Sequence, residues 1–334
     1  MIDVPQVTRD DISALLTILL ANNRIDDKVV NNIATHFTGR HPAEILQHIL
    51  TEVVDYRTDL HETYNVLINF AMRAKVRLVQ NDNAVVQLIP NCFVIGQPRS
   101  GTTSLHRFFE AHTDVYVPFV KEINYYSHLA KSVAGNTGLG LSDYASYFLG
   151  ASKEMYRCDV SPFYLSEPGA ALRIYRDVPT ATIIAILRDP VSRLVSTFNK
   201  FFDQKPNAIL SEWLEKGLDG FVRGSSRWDH DSGVTAFFGC FISNQLLEYK
   251  RYFGNKFKIV LYNDFAENHI QTLQEICDFL YIDRRVEVQY DIYKSRRREM
   301  LHRELDQKLR TFFSPEIDRI ESIVGRDLSS WRTG

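Results

Sequence analysis

An α/β fold of three layers, with a central parallel sheet covered by helices on both faces and a helical region ahead of it, is what this sequence predicts. Three observations carry that expectation. From residue 91 onward short apolar runs alternate with amphipathic segments, the pattern of strands joined by crossover helices. Two of these runs, Cys92-Phe93-Val94-Ile95-Gly96 and Thr182-Ile183-Ile184-Ala185-Ile186-Leu187, are apolar without alternation, as strands buried on both faces are. Before residue 91, apolar residues recur instead at helical spacing.

Taken in order, residues 1–90 read as about four helices, near 8–22, 26–37, 42–56 and 60–79, with Val29, Ile33 and Phe37 showing the apolar stripe of the second. This region carries 8 basic and 11 acidic residues, so it is no polybasic membrane tether. It reads as a layer packed on the core, or as a segment that encloses a ligand or mediates assembly into a homodimer. Asn81-Asp82-Asn83 ends the helical run, and a second domain spans 91–334. Strands are expected near 92–96, 115–117, 156–160, 181–187 and 257–261, and helices near 102–111, 166–176, 190–203, 235–252 and 267–280. The polar stretch 204–233, with Gly217, Gly220, Gly224 and Gly233, reads as a mobile lid or a surface excursion.

Bulk properties narrow the classes. A chain of 334 residues, 45% hydrophobic, can bury one large core. A net charge of −2 gives no general attraction to nucleic acid. The four cysteines (Cys92, Cys158, Cys240, Cys277) are widely spaced and read as reduced thiols, with no metal site implied. The N-terminus has no basic lead-in to a signal peptide, and the apolar stretch 12–20 is too short to span a bilayer, so a cytoplasmic protein with no membrane partner is expected.

Two motifs carry chemistry. The first runs from the strand at 92–96 through Gln97-Pro98-Arg99-Ser100-Gly101 into Thr102-Thr103-Ser104-Leu105, the start of a helix. Backbone N–H groups converge in such a turn, and the helix dipole adds positive charge, so the segment is an anion cradle. The spacing Gly96-x-x-x-x-Gly101 matches the first half of a phosphate-binding loop, which makes the fold P-loop-like. The lysine that usually follows the second glycine is missing, and the cation, Arg99, precedes it. In the second motif, Arg188 stands at the C-terminal end of the strand at 181–187, where open α/β sheets bind ligands. Asp189 can cap the following helix and Pro190 suits its first turn. Ser196 lies two turns on, so it and Arg188 could share one phosphate.

Here the chain resembles a family. Pro98-Arg99-Ser100-Gly101-Thr102-Thr103-Ser104 is similar to the 5′-phosphosulfate loop of sulfotransferases, and Arg188-Asp189-Pro190 through Ser196 to their 3′-phosphate motif. Lys121-Glu122-Ile123-Asn124-Tyr125-Tyr126 resembles the Lys-Glu-x-x-Phe-Phe run of the carbohydrate (heparan-type) members. Asp159-Val160-Ser161-Pro162-Phe163-Tyr164-Leu165 resembles the acidic-x-Ser/Thr-Pro-x-Tyr segment that follows it, and Gly325-Arg326-Asp327-Leu328 near Trp331 resembles the ending of bacterial members. The likeness covers residues 91–334, about three quarters of the chain.

The resemblance implies 3′-phosphoadenosine 5′-phosphosulfate (PAPS) as donor, no metal, and a small-molecule or carbohydrate hydroxyl as acceptor. Arg99 would stabilise charge on the bridging oxygen, and Ser100, Gly101, Thr102, Thr103 and Ser104 would hold the 5′-phosphate. Glu122 would be the general base, its pKa raised by burial against Tyr125 and Tyr126, which could also stack on a sugar. A structural ion pair with Lys121 or Arg99 is the competing role for Glu122, and His106 and His128 are alternative bases. Asp159 and Ser161 would touch the acceptor. Val160 stands where the heparan-type pattern has a lysine, which points away from a polyanionic glycan. The late basic run Tyr293-Lys294-Ser295-Arg296-Arg297-Arg298 would close the nucleotide site through Lys294, Arg296 or Arg297, or form a solvated face. Two other classes stay open: a P-loop kinase, which would need the missing lysine and a magnesium carboxylate, and a nucleotide-binding module without chemistry.

Overall fold

The structure is a computed structural model that describes residues 88–118, 121–127, 141–148, 150–151, 153–202, 207–225, 233–284 and 301–333. The four N-terminal helices, His128 and the run 293–298 lie outside the described residues.

Five parallel strands form the sheet: β1 (Cys92–Gly96), β2 (Val115–Tyr116), β3 (Tyr156–Val160), β4 (Thr182–Leu187) and β5 (Phe257–Leu261), in the order β2-β3-β1-β4-β5. The helices are α1 (Thr102–Glu110), α2 (Leu141–Ser146), α3 (Phe163–Ser166), α4 (Ala170–Asp177), α5 (Pro190–Phe201), α6 (Leu210–Val222), α7 (Val234–Phe238), α8 (Ser243–Phe253), α9 (Tyr262–Glu267), α10 (His269–Leu280), α11 (Arg303–Val324) and α12 (Ser330–Thr333).

Every residue of β1 and β4 is buried, which is why neither run alternates. Strand alternation then sorts their side chains into two cores. Phe93, Ile95, Ile183, Ala185 and Leu187 pack with α4, α5, α6, α8 and α11 on one face. Val94, Ile184 and Ile186 pack with α1 and α10 on the other, completing the three layers. The chain leaves β1 for the β2-β3 side and later returns to β4 on β1's opposite flank. The C-terminal end of β1 is therefore the topological switch point, where open α/β sheets take their ligands.

Two expected helices are broken and a third gains a preceding turn. The one at 166–176 divides into α3 and α4 at Pro168-Gly169, where Gly169 has φ 76°. The one at 235–252 divides at Gly239-Cys240, and the one at 267–280 is preceded by the separate turn α9. The stretch 204–233 is corrected more deeply: residues 210–222 of it form α6. Leu210, Trp213, Leu214, Gly217 and Leu218 repeat at helical spacing and are buried. Gly220 lets this helix approach α7, since a Cβ there would lie 2.5 Å from Val234 Cγ2. Gly220 and Gly233 are packing residues, whereas Gly224 stands in open space just beyond the end of α6.

The C-terminus supports the switch point from behind. Gly325, at φ 70°, ends α11, and the chain folds back to bury Leu328 and Trp331. Arg310 on α11 bonds the Trp331 carbonyl oxygen at 2.8 Å and reaches Asp189 at 3.5 Å, at the head of α5. Among the described residues no helix is long and apolar enough to cross a membrane.

Candidate active site

The loop after β1 is shaped by its neighbours. Gly96 lies against β4 so closely that a Cβ would sit 2.5 Å from the Ile186 carbonyl oxygen. Arg99 (φ 74°) and Gly101 (φ 92°) both take left-handed backbone, turning the chain into α1. The head of α1 has no side-chain cap and no acidic residue in its first turn, so its N–H groups and dipole face the loop's concavity. Ser100 is fully buried, and its Oγ finds no hydrogen-bond partner among the described residues.

The second motif meets the first there. Asp189 caps α5, accepting from the N–H groups of Val191 and Ser192 at 3.1 Å each, with Pro190 as the first helical residue. That cap sets the register which brings Ser196 Oγ to 3.4 Å from Arg99 Nε. Arg188 donates from Nη1 to the Arg99 carbonyl oxygen at 2.7 Å and lies over the Tyr262 ring, 4.3 Å from its centroid. Burial pulls the Arg188 pKa below the usual guanidinium value, against the opposing effects of Tyr262 and Asp189. Its Nε is buried and has no partner among the described residues.

Two contributors escaped the sequence reading. Gln97, 1% exposed, accepts from the Arg188 N–H at 3.0 Å through Oε1 and donates through Nε2 to the Gly239 carbonyl oxygen at 3.2 Å. It locks the loop to the end of β4. Tyr262, first residue of α9, flanks Gly101 as well as Arg188: a Cβ on Gly101 would lie 3.2 Å from its ring. Neither carries a motif signal, because both act through contacts distant in sequence.

Glu122 stands over the C-terminal end of β3, its N–H bonded to the Val160 carbonyl oxygen at 3.1 Å. That bond leaves β3 on the flank away from β1, because the next N–H, that of Ser161, is the one that turns to Val94 on β1. Its carboxylate pairs with Lys121 Nζ at 2.5 Å, so a lysine rather than an aromatic wall is its closest polar neighbour. Tyr125 stacks on Tyr144, with centroids 4.2 Å apart and planes at 6°.

Three residues expected at the acceptor are turned inward in this structure. Tyr126 is 3% exposed and its hydroxyl donates to Asp177 at 2.9 Å. Asp159 and Ser161 are wholly buried beneath the site: Asp159 accepts from Tyr144, Tyr164 and Ser161 hydroxyls at 2.6–2.8 Å. An isolated buried carboxylate is costly, and these three donors are what it needs. Burial nonetheless raises its pKa. Of the alternative bases, His106 is 8% exposed with Nε2 3.3 Å from the Pro118 carbonyl oxygen, and burial lowers its pKa to about 4. It is a packed histidine. Among the described residues no three His, Cys, Asp or Glu gather as metal ligands.

Comparison with known proteins agrees with this geometry. Residues 130–285 match the model of the "Sulfotransferase family". A membrane-associated sulfotransferase, kil1, of Dictyostelium discoideum is 30% identical over 142 residues, 40% of this chain and only 29% of that protein's length. The crystal structure of a sulfotransferase from Alicyclobacillus acidocaldarius superposes with a TM-score of 0.61 at 27% identity, covering 73% of this chain and 98% of that one. An anion loop and an arginine–serine pair at one switch point, on a fold that spans nearly the whole of a solved sulfotransferase, make this chain similar to sulfotransferases, whose family model residues 130–285 match.

Proposed function

We propose that this chain transfers a sulfuryl group from PAPS to an acceptor hydroxyl and releases 3′-phosphoadenosine 5′-phosphate (PAP). The observation that carries the reading is the meeting of Arg99, Arg188 and Ser196 at the mouth of an open helix N-terminus. Ser100 Oγ and Arg188 Nε, buried and without a partner among the described residues, fit a phosphorylated ligand: each unsatisfied group costs about 1–3 kcal/mol that an anion would return. Ser100, Gly101, Thr102, Thr103 and Ser104 would hold the 5′-phosphate, and Arg188 and Ser196 the 3′-phosphate. Lys294, Arg296 and Arg297 join this assignment on sequence alone.

The donor, when bound, supplies an electrophilic sulfur and a phosphate leaving group. Glu122 takes the proton from the acceptor hydroxyl. Arg99 keeps its own proton at all working pH and stabilises negative charge at the bridging oxygen. The kinase reading is less well supported, because Asp189, the carboxylate beside Arg188, is occupied by the α5 cap and Arg310. Catalysis without a divalent metal belongs to the proposal, as does an uncharged acceptor hydroxyl on a small molecule or sugar. A cytoplasmic location is supported by the four buried free thiols.

Calorimetric titration with PAP and with ATP–Mg²⁺ tests the reading. PAP should bind far more tightly, and preference for ATP–Mg²⁺ would refute it. An acceptor screen with labelled PAPS then identifies the hydroxyl.

A further inference from the structure

Left-handed backbone recurs beside the site at three residues that are not glycine: Arg99, Glu122 (φ 63°) and Asn124 (φ 56°). Such conformations persist where the surroundings over-determine them. Around Glu122 the surroundings form one continuous chain of hydrogen bonds. The Glu122 carbonyl oxygen accepts from Asn124 Nδ2 at 2.7 Å. The Asn124 N–H donates to Ser161 Oγ at 3.1 Å, and that hydroxyl donates to Asp159 Oδ1 at 2.6 Å. Asp159 is anchored in turn by the hydroxyls of Tyr144 and Tyr164.

Ser161 follows β3 directly, and its own N–H is bonded to the Val94 carbonyl oxygen on β1 at 3.0 Å. Glu122 is therefore fixed twice: to β3 through Val160, and through Asn124 and Ser161 to the strand that leads into the anion loop. Asn124 is 3% exposed and Ser161 wholly buried, so neither reaches a bound acceptor from this position.

We infer that Ser161 and Asn124 are positioning residues that hold Glu122 in its left-handed conformation and aim its carboxylate at the acceptor hydroxyl; this rests on the reading of Glu122 given above. The Asp159-x-Ser161 motif then serves catalysis from below, through the backbone, rather than by contact with substrate.

A double-mutant cycle tests it. Ser161→Ala, Ser161→Thr and Asn124→Gly are made in the wild type and in Glu122→Gln. Turnover is read as labelled sulfuryl leaving PAPS, to an added acceptor or to water, and nucleotide affinity by calorimetry with PAP. Asn124→Gly is the safer variant: glycine tolerates the φ, and only the bond to the Glu122 carbonyl is lost. Ser161→Ala strands the Asn124 N–H and Asp159 Oδ1 and is the one at risk of misfolding.

The expected result is a kcat loss of about tenfold to a hundredfold for Asn124→Gly and Ser161→Ala, the scale of a misplaced catalytic group. PAP affinity should stay within about twofold, Ser161→Thr should keep most of the rate, and the losses should vanish in the Glu122→Gln background. Full kcat in Asn124→Gly, equal losses in both backgrounds, or loss of PAP affinity together with kcat overturns the inference alone. Normal turnover by Glu122→Gln, or none by the wild type, overturns the parent reading and this one with it.

Discussion

Replacing Arg188 by alanine should abolish tight nucleotide binding while leaving the fold nearly as stable. Two contacts of the side chain and one unpartnered atom set the magnitude. Its Nη1 bonds the Arg99 carbonyl oxygen at 2.7 Å, its guanidinium covers Tyr262 at 4.3 Å, and its buried Nε has no partner among the described residues. In the unliganded protein the first two contribute about 1 kcal/mol each. Desolvation of the cation, the chief reason its pKa is lowered, opposes them. The net loss of stability is thus about 1 kcal/mol or less. With nucleotide bound the balance differs, because the alanine leaves a buried phosphate without its arginine. That costs about 2–4 kcal/mol, a rise in Kd of roughly 30- to 1,000-fold at 1.4 kcal/mol per decade. Arg188→Lys should fall between, keeping a charge but losing the planar fork. Isothermal calorimetry with PAP, beside a thermal melt of each variant, measures both quantities. Two results would refute the reasoning: unchanged PAP affinity in Arg188→Ala, or equal wild-type affinity for PAPS and for adenosine 5′-phosphosulfate, which lacks the 3′-phosphate.

Glu122→Gln should bind PAP normally and lose on the order of 10²–10⁴ in turnover; near-normal rates would move the base to a histidine, His128 before the buried His106. Turnover should survive EDTA, and an activity lost on chelation and restored by Mg²⁺ would revive the kinase reading. Gly96→Ala should destabilise by about 1–3 kcal/mol or prevent folding, since its Cβ would meet the Ile186 carbonyl oxygen at 2.5 Å, and a urea melt reads this directly. His106 gives a pH signature. Its folded pKa, lowered by burial to about 4, lies below the unfolded value of 6.5, so between these values the unfolded chain binds more protons. Stability from this group is complete above about pH 6.5 and falls by up to about 3 kcal/mol as pH drops toward 4. Urea midpoints across that range should lose this slope in His106→Gln.

The sheet and the anion loop were legible in the sequence because their signals are local. A run such as Ile183–Leu187, apolar at every position, has no stable place except a strand buried on both faces, and all five residues are buried. The Asp189 cap and Pro190 start are likewise rules of a single helical turn, and the helix obeys them. Local reading failed where glycine has two uses. Gly217 and Gly220 looked like loop residues, yet they sit in a helix whose neighbour needs the room, and only the neighbour's position reveals that. It also gave no sign that Tyr126, Asp159 and Ser161, which belong to motifs near the site, are buried. Residue types and spacing told which groups sit near the end of β1 and that they suit a bound phosphate. Which of them face the ligand and which hold the others in place was decided by tertiary structure, because strand order and depth of burial, not sequence neighbourhood, determine whether a hydroxyl or carboxylate meets solvent or a buried donor. Gln97, bonded to residues 91 and 142 positions away, is set wholly by that arrangement.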